Sequence, residues 1–518
     1  MSSNLLIKRA LLSVSDKTGI VDLARTLVKY DCEIISSGGT KKFLEENGIH
    51  CTRIEDVTGN PEAFSGRMKT LSFQVSSALL YRRDSKDDIN QAKELNIEPI
   101  DLVVCNLYPF EEVSKTSSDL DELIENIDIG GPTMLRASAK NYHHVASLCD
   151  TRDYESVINE LNETKGEISF TTRKNLCAKT FAHTAHYDAT IIEKLNPLLT
   201  DRPAAQVFKS GDLKELRYGE NPHQKAFFLG DSSKWQTLQG KDLSYNNLLD
   251  ADASFRCCFD LHTKFPTKKV AVIVKHSNPC GSAVTNGNLE SLETAWSSDP
   301  ISSFGGILCF NFEVDEAMAT WLGDKFVEVV MAPSFSTEAQ EVFAKKKNLR
   351  LVERSFDDSF LSEDMVKSVV GGFVVQKEDT EFCTKLNCVT KNNRNVDTDL
   401  LEFGVVLTKH FRSNAISLVT KKDDQLILVG AGMGNPNRLV STTQAIEKAK
   451  ENGYTDLSEC VLISDAFFPF RDNVEVANSF GIKSIVQPGG SIKDKDVVAA
   501  SDEFDMTMYF TGTRHFRH

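Results

Sequence analysis

Apolar positions near the N-terminus change their period in a regular way. Ala10 to Val14 is a short apolar run, Ile20, Leu23, Ala24 and Leu27 recur at helical spacing, and Glu33-Ile34-Ile35 returns to a strand pattern. The predicted order is β-α-β, which requires a parallel sheet with a crossover helix. Leu102-Val103-Val104 predicts another strand, and it runs straight into the polar loop Cys105-Asn106-Leu107-Tyr108. In open α/β sheets, ligands sit beyond the carboxyl ends of strands. Thr180 to Leu195 reads as a helix, and the Pro-bearing stretch from Asn196 to Ala204 reads as a boundary. The expected domains are therefore 1–198 and 199–518. The second exceeds one comfortable core, and Thr390 to Thr398 is expected to be a seam, near 390–400, between two α/β subdomains. Strands running into polar loops are expected on both sides of it, at Val270 to Lys275, Gln425 to Gly430 and Cys460 to Asp465. The letters alone show no internal repeat.

Composition narrows the classes. With 59 basic against 74 acidic residues, a net charge of −15 gives no chain-wide footprint for nucleic acid or an anionic membrane. Any anionic ligand must be held by local clusters. The 41% apolar content is that of a folded globular chain. Twelve cysteines include no C-x-x-C pair, so reduced, mostly buried thiols in the cytoplasm are expected. Lys8 and Arg9 interrupt the first apolar run, against a signal peptide, and no stretch approaches the roughly 18 apolar residues of a membrane span.

Three loops combine small residues, hydroxyls and a cation: Ser15-Asp16-Lys17-Thr18-Gly19, Ser36-Ser37-Gly38-Gly39-Thr40-Lys41 and Ser65-Gly66-Arg67-Met68-Lys69-Thr70. The first two lie between a strand and a helix, where backbone N–H groups face an anion and Lys17 adds charge. The alternative is that Ser15, Asp16 and Thr40 are helix caps and the glycines are turns. In the second half, Leu216 to Gln224 and Leu243 to Asp250 are polar among apolar surroundings, and the strand Val270 to Val274 ends in Lys275-His276-Ser277-Asn278-Pro279-Cys280-Gly281. A Lys-His pair at a strand end suits acid/base work, because the ammonium lowers the proton affinity of the imidazole. Zinc deaminases carry His-x-Glu followed by Pro-Cys-x-x-Cys. Here Pro279-Cys280 is followed by Gly-Ser-Ala and no His-x-Glu precedes it, so no metal is expected.

Residues 13–19 (Ser-Val-Ser-Asp-Lys-Thr-Gly), 37–40 (Ser-Gly-Gly-Thr), 66–71 (Gly-Arg-Met-Lys-Thr-Leu), 106–110 (Asn-Leu-Tyr-Pro-Phe) and 128–141 (Asp-Ile-Gly-Gly-Pro-Thr-Met-Leu-Arg-Ala-Ser-Ala-Lys-Asn) resemble the bifunctional purine biosynthesis family. Residues 299–306, 412–416, 464–472, 487–491 and 514–518 extend the resemblance over nearly the whole chain. That family joins an aminoimidazole carboxamide ribonucleotide (AICAR) formyltransferase to an inosine monophosphate cyclohydrolase. The resemblance implies a methylglyoxal-synthase-like parallel α/β domain, then two cytidine-deaminase-like α/β subdomains without zinc. It also implies a homodimer with a shared formyltransferase site, and 10-formyltetrahydrofolate as co-substrate.

Carried over by motif, Lys140 would transfer the proton in ring closure, with Lys69, Tyr108 and Asp128 around it. Ser15, Asp16, Lys17, Ser37, Gly38, Gly39, Thr40, Arg67, Met68 and Thr70 would hold the nucleotide, and Cys105, Asn106, Ile129 and Gly130 its base. In the second half, His276 would be the base and Lys275 the oxyanion stabiliser. Arg217, Tyr218, Gly305, Glu328, Asn414, Arg438, Phe467 and Arg514 would bind AICAR, and Phe304, Leu439, Pro469, Asp472, Ser491 and Ile492 the folate. The basic end, Arg514 to His518, could equally be a frayed tail. One departure stands out: the family's His-Pro-x-x-His-x-Gly is replaced by Ser72-Phe73-Gln74-Val75-Ser76-Ser77-Ala78. It leaves open a formyltransferase whose first domain binds nucleotide but cyclises poorly. A non-enzymatic nucleotide sensor would bind ligand even after Lys275→Ala and His276→Ala.

Overall fold

In a computed structural model, which describes residues 4–64, 67–200, 212–357, 359–362, 364–382 and 385–518, the chain divides into two units, Met1–Gly211 and Asp212–His518. The expected β-α-β order opens the first: β1 (Arg9–Leu12), α1 (Ile20–Lys29) and β2 (Glu33–Ser36). α2 (Gly38–Glu46), β3 (Thr52–Arg53), α3 (Phe73–Leu80), β4 (Leu102–Val104), α4 (Gly130–Lys140), β5 (Ala146–Leu148) and α5 (Phe170–Leu199) follow. The sheet order is β3-β2-β1-β4-β5, with every pair parallel.

Both faces of this sheet are covered, which is why its strands read as unbroken apolar runs. Ala10, Leu12, Ile34, Leu102 and Val104 join one core with Ile20, Leu23, Ala24 and Leu27 of α1. Leu11, Ile35 and Val103, one residue out of phase, join the opposite core with Val75, Leu79 and Leu135. The last helix, α5, is longer than its expected core of 180–195, because Ser169 caps its start by accepting from the Thr172 N–H. Residues 201–204 of the expected boundary, Ser65 and Gly66 of the third loop, and Cys383 lie outside the described residues.

The second unit is built twice. α6 (Tyr245–Lys264), the hairpin β6 (Lys269–Lys275) and β7 (Asn278–Thr285), α7 (Asn288–Ser297), and the strands β8 (Ile307–Phe310), β9 (Val329–Ala332) and β10 (Arg350–Glu353) form one copy. The other is α8 (Thr398–Lys409), β11 (Ile416–Lys422), β12 (Gln425–Gly432), α9 (Arg438–Glu451), β13 (Val461–Ser464), β14 (Ser484–Gln487) and β15 (Thr507–Phe510). All ten strands share one sheet, in the order β10-β9-β8-β6-β7-β12-β11-β13-β14-β15, with Thr237–Gln239 and Asn387–Cys388 on its outer edges. Each hairpin is antiparallel and carries one register shift, at Ile273/Val274 and at Leu418/Val419. The copies meet where β7 pairs antiparallel with β12, Ala283 opposite Ile427. Even the close packing repeats: a Cβ on Gly281 would run into the Ala295 carbonyl of α7, and one on Gly430 into the Ala445 carbonyl of α9. The expected seam near 390–400 immediately precedes α8.

α6 and the end of α8 meet over a buried polar cluster. His410 Nε2 bonds Asp260 at 2.8 Å, Lys409 Nζ lies 2.9 Å from the same carboxylate, and Arg517 donates to the His410 carbonyl. Burial drives the His410 imidazole down to about 4, against the pull of Asp260, with Arg517 and Lys409 adding to the burial. Below its ordinary value near 6.5 the unfolded chain binds a proton that the folded one refuses, so stability falls as pH drops from 6.5 towards 4. The cost reaches about 3 kcal/mol. Chemical denaturation of the full chain at pH 7 and at pH 4.5 should show this loss, and His410→Gln should shrink it; an equal pH dependence in both proteins would refute it.

Candidate functional site

All five strands of the parallel sheet of the first unit run the same way, so the loops after β1, β2 and β4 share one edge. There Thr40 Oγ1 both accepts from the Val14 N–H and donates to the Val14 carbonyl, each at 3.0 Å, tying the second loop to the first. Thr40 is inside α2, whose N-cap is Ser37, and Gly19 precedes α1, so none of Ser15, Asp16 and Thr40 is a cap of these two helices. Asn106 Oδ1 accepts from the Ser15 and Asp16 N–H groups, and its amide donates to the Asp16 carbonyl at 3.0 Å. Lys17 turns inward onto the Val14 carbonyl and reaches Thr40 Oγ1 at 3.4 Å. Gly39 follows Gly38 in the first turn of α2.

The third loop folds over the same edge. Lys69 Nζ fills the space a Cβ on Gly38 would need, and it pairs with Glu62 at 3.0 Å. Thr70 Oγ1 stands 2.7 Å from where a Cβ on Gly130 would be. Arg67 pairs with Glu125 on the surface, next to the exposed Met68. Asp128 Oδ1 accepts from the Gly131 N–H at 2.8 Å, and the Asp128 N–H donates to the Tyr187 hydroxyl at 2.7 Å. Burial raises the Asp128 carboxyl above its usual range, although the backbone N–H groups of Gly131, Tyr108 and Gly130 pull it back. Beside it, the buried Cys105 thiol is pushed far up by the same desolvation, so it stays neutral, while Tyr108 and Ile129 are exposed.

Lys140 is exposed at the last turn of α4. α4 crosses from the carboxyl edge of the sheet to the amino edge before β5, and its ten residues of rise put Lys140 about 15 Å from Gly130. The departure at 72–78 forms α3, with Ser72 Oγ accepting from the Val75 N–H as N-cap and Val75, Ala78 and Leu79 in the core.

In the second unit the strand directions gather the expected residues at one edge. The carboxyl ends of β6, β12, β13, β14 and β15 and the amino ends of β8 and β9 all lie there. Lys275 Nζ donates to the Phe304 carbonyl at 2.8 Å, just before Gly305 with φ 74°. Glu328 receives the Asn247 amide at 2.9 Å and lies 3.8 Å from Arg350. Asn246 donates to the Glu220 carbonyl, holding the loop of Arg217 and Tyr218 beside the start of α6; the Arg217 guanidinium lies 4.7 Å above the Tyr218 ring.

His276 and Ser277 are the two central residues of the β6–β7 turn, and both are left-handed, at φ 53° and 59°. Such a turn normally takes Asn-Gly, and each non-glycine there costs about 1–2 kcal/mol. Asp250 offsets this: its carboxylate accepts from the His276 N–H at 3.1 Å, the Ser277 N–H at 2.6 Å and the Ser277 hydroxyl at 3.3 Å. The imidazole of His276 is left exposed.

Across the copies, Asn278 Oδ1 accepts from the Arg412 N–H. Arg438, at the start of α9, is buried, with its guanidinium committed to Asp465 at 2.9 Å, Asn414 at 2.9 Å and Ser464 at 3.2 Å. It therefore fixes Asn414 rather than offering a free fork, the opposite of the exposed Arg217 and Arg514. Leu439 begins α9 beside it, with Asn437 as cap. A cavity of about 310 Å³ opens between the copies, lined by Lys275, His276, Asp299, Met433 and Lys448 among others.

Beyond β13 and β14 lie Phe467, Pro469 and Asp472, and then Ser491 and Ile492. Phe468 is core, whereas Phe467 and Phe470 are exposed, and Ile492 is 100% exposed. The tail is not frayed: His515 is buried against Asp379 at 2.8 Å, and Arg517 pairs with Ser413 through its N–H and carbonyl. Sequence reasoning missed Asp250 and Asp465. The polar stretch 243–250 and the Ser464-Asp465 strand end were the signals available.

A family profile described as AICARFT/IMPCHase bienzyme matches residues 138–448, and one described as MGS-like domain matches residues 19–133. The bifunctional purine biosynthesis protein PurH of Persephonella marina is 44% identical over 525 residues, covering 99% of this chain and all of that one. The proteins of the same name from Bacillus cereus and Ruminiclostridium cellulolyticum are each 43% identical, again over 99% of this chain and all of theirs. A solved structure, the crystal structure of ForH, is 34% identical with a TM-score of 0.33, covering 36% of this chain and 99% of that one.

Proposed function

We propose a division of labour from the premise that this chain belongs to the AICARFT/IMPCHase bienzyme family. The enzyme catalyses the last two steps to inosine monophosphate: formyl transfer from a folate-derived donor to AICAR, then ring closure with loss of water. In our reading residues 1–198 cyclise and 199–518 transfer the formyl group from 10-formyltetrahydrofolate, each of these with the residues gathered at its own sheet edge.

The observation that carries the formyl transfer is the Lys275-His276 pair at the mouth of a cavity between the two copies. The AICAR amine is conjugated with its ring and weakly nucleophilic. His276 takes its proton as it attacks the formyl carbon, Lys275 stabilises the oxyanion, and the proton on His276 passes to the departing tetrahydrofolate nitrogen as its bond to the formyl carbon breaks. Arg217, Tyr218, Gly305, Glu328, Asn414, Phe467 and Arg514 hold the ribonucleotide, and Phe304, Leu439, Pro469, Asp472, Ser491 and Ile492 cover the folate. For ring closure, the raised Asp128 carboxylate takes a proton from the carboxamide nitrogen. Lys69 stabilises the formyl oxygen and gives it one proton, the proton held by Asp128 supplies the second so that the oxygen departs as water, and the formamide nitrogen returns its own proton to Lys69 as the C=N bond forms. The loops at 15–17 and 37–40 hold the phosphate.

We place the enzyme in the cytoplasm, which fits eleven described cysteines that are all free thiols. We also propose a homodimer, supported by the hairpin Asp364–Val369/Gly372–Lys377, which exposes Val366, Val369, Val370, Phe373 and Val374 to solvent. Turnover is tested with AICAR plus 10-formyltetrahydrofolate and, separately, with formyl-AICAR alone. Both should give inosine monophosphate from a species sedimenting at about twice 57.6 kDa. Formyl-AICAR piling up in the first mixture and unchanged in the second would mean a formyltransferase with a silent first domain. Sedimentation as a monomer would reject the shared site.

A further inference from the structure

We infer that Asp250 is a positioning residue for formyl transfer: it holds the left-handed His276-Ser277 turn and so aims the His276 imidazole at the substrate amine. The inference rests on His276 being the base. Asp250 is placed by the sequence around it. Ser244 and Asn247 form a reciprocal capping box that fixes where α6 begins, and hence which face of its second turn points at the β6–β7 hairpin. From there one carboxylate receives both N–H groups of the turn and the Ser277 hydroxyl. A neutral side chain at 250 offers fewer acceptor positions for the same three donors.

The chain contains its own comparison. The equivalent turn of the second copy, Asp423-Asp424 between β11 and β12, is left-handed at Asp423 but not at Asp424, and it is exposed. A doubly left-handed turn without glycine occurs only in the copy that carries the Lys-His pair. On the opposite side, the Asn278 amide donates to the His276 carbonyl at 3.0 Å, and Asn278 accepts from Arg412. The imidazole thus projects from a turn whose backbone is fixed on two sides while the ring itself stays free, as a base that must meet an incoming amine requires.

The test is steady-state kinetics of the full chain as wild type, Asp250→Ala, Asp250→Asn, Asp250→Ala/Ser277→Gly and His276→Gln. Asp250→Ala should lower kcat of formyl transfer about 30-fold and leave both KM values within about threefold, because binding groups are untouched and the base is misaimed. Asp250→Asn, which keeps an acceptor oxygen, should lose less. Adding Ser277→Gly to Asp250→Ala should restore at least about fivefold, since glycine takes the left-handed conformation without help. Cyclisation of formyl-AICAR by the first domain should stay at wild-type rate in every variant, reporting an intact chain. If Asp250→Ala fails to fold, the same kcat split in Asp250→Asn decides. Wild-type kcat in the Asp250 variants, or a loss confined to KM, overturns the positioning role even if His276→Gln is inactive. Wild-type turnover by His276→Gln removes the base assignment itself, whatever Asp250 does.

Discussion

Formyl transfer by His276→Ala is expected to fall about a thousandfold, with cyclisation of formyl-AICAR unchanged. The size follows from the substrate: a conjugated amine cannot add to a formyl group at a useful rate while it keeps both protons, so the lost base has no substitute among the half-buried groups of the turn. Lys275→Met should lose about a hundredfold or more, because the developing oxyanion then faces no cation at the Phe304 carbonyl where the ammonium now sits. The check is single-turnover formation of formyl-AICAR together with equilibrium binding of AICAR. Binding within a few-fold of wild type, with chemistry stopped, is the expected pattern. Loss of binding with the chemical rate preserved would make both residues substrate ligands instead.

Ring closure should respond in the other direction. Asp128→Asn and Lys69→Met are expected to slow cyclisation by about 100- to 1,000-fold while formyl transfer proceeds, so that formyl-AICAR accumulates from AICAR and the donor. The pH profile adds a sign. Burial raises the Asp128 carboxyl, and a base is lost as pH falls through its own titration, so the acid limb of cyclisation should lie above the usual carboxylate value near 3.9. Asp128→Asn should abolish that limb. A limb that persists unchanged in the variant would assign it to another group.

Much of the first unit could be read from its letters, because a sheet covered on both faces writes its strands as unbroken apolar runs and its crossover helix at a 3.6-residue period. The loops between them were visible for the same reason, as polar breaks at strand ends. What the pattern could not reveal was partnership across the chain. Thr40 reads either as part of an anion-holding loop or as a cap, and neither reading contains the bonds of its hydroxyl to Val14, 26 residues away. Lys140 shares a motif with Asp128, yet a helix carries the two ends of that motif to opposite edges of the sheet. Motif proximity is one-dimensional. Arg438 stands among the expected AICAR ligands, and only its burial against Asp465 shows its guanidinium committed. The duplication escaped for a different reason: two copies of a fold need the same apolar phase, the same register shift and a glycine where a helix crosses, and none of these requires the same amino acids in between. Asp250 is the sharpest case, since a carboxylate six residues into a helix tells nothing about a turn 26 residues later until the helix and the hairpin are packed together.

The twofold build of the second unit also has a practical side. Because the two hairpins are related across the β7–β12 junction, their turns point to opposite edges, and only the turn of the first is occupied by chemistry. Asp423-Asp424 is short, polar and solvent-facing, and nothing assigned to catalysis lies at its edge. A fluorescent label or an inserted peptide tag therefore has a natural address there, far enough from both the reacting atoms and the anchored C-terminus to report on the enzyme without taking part in its work.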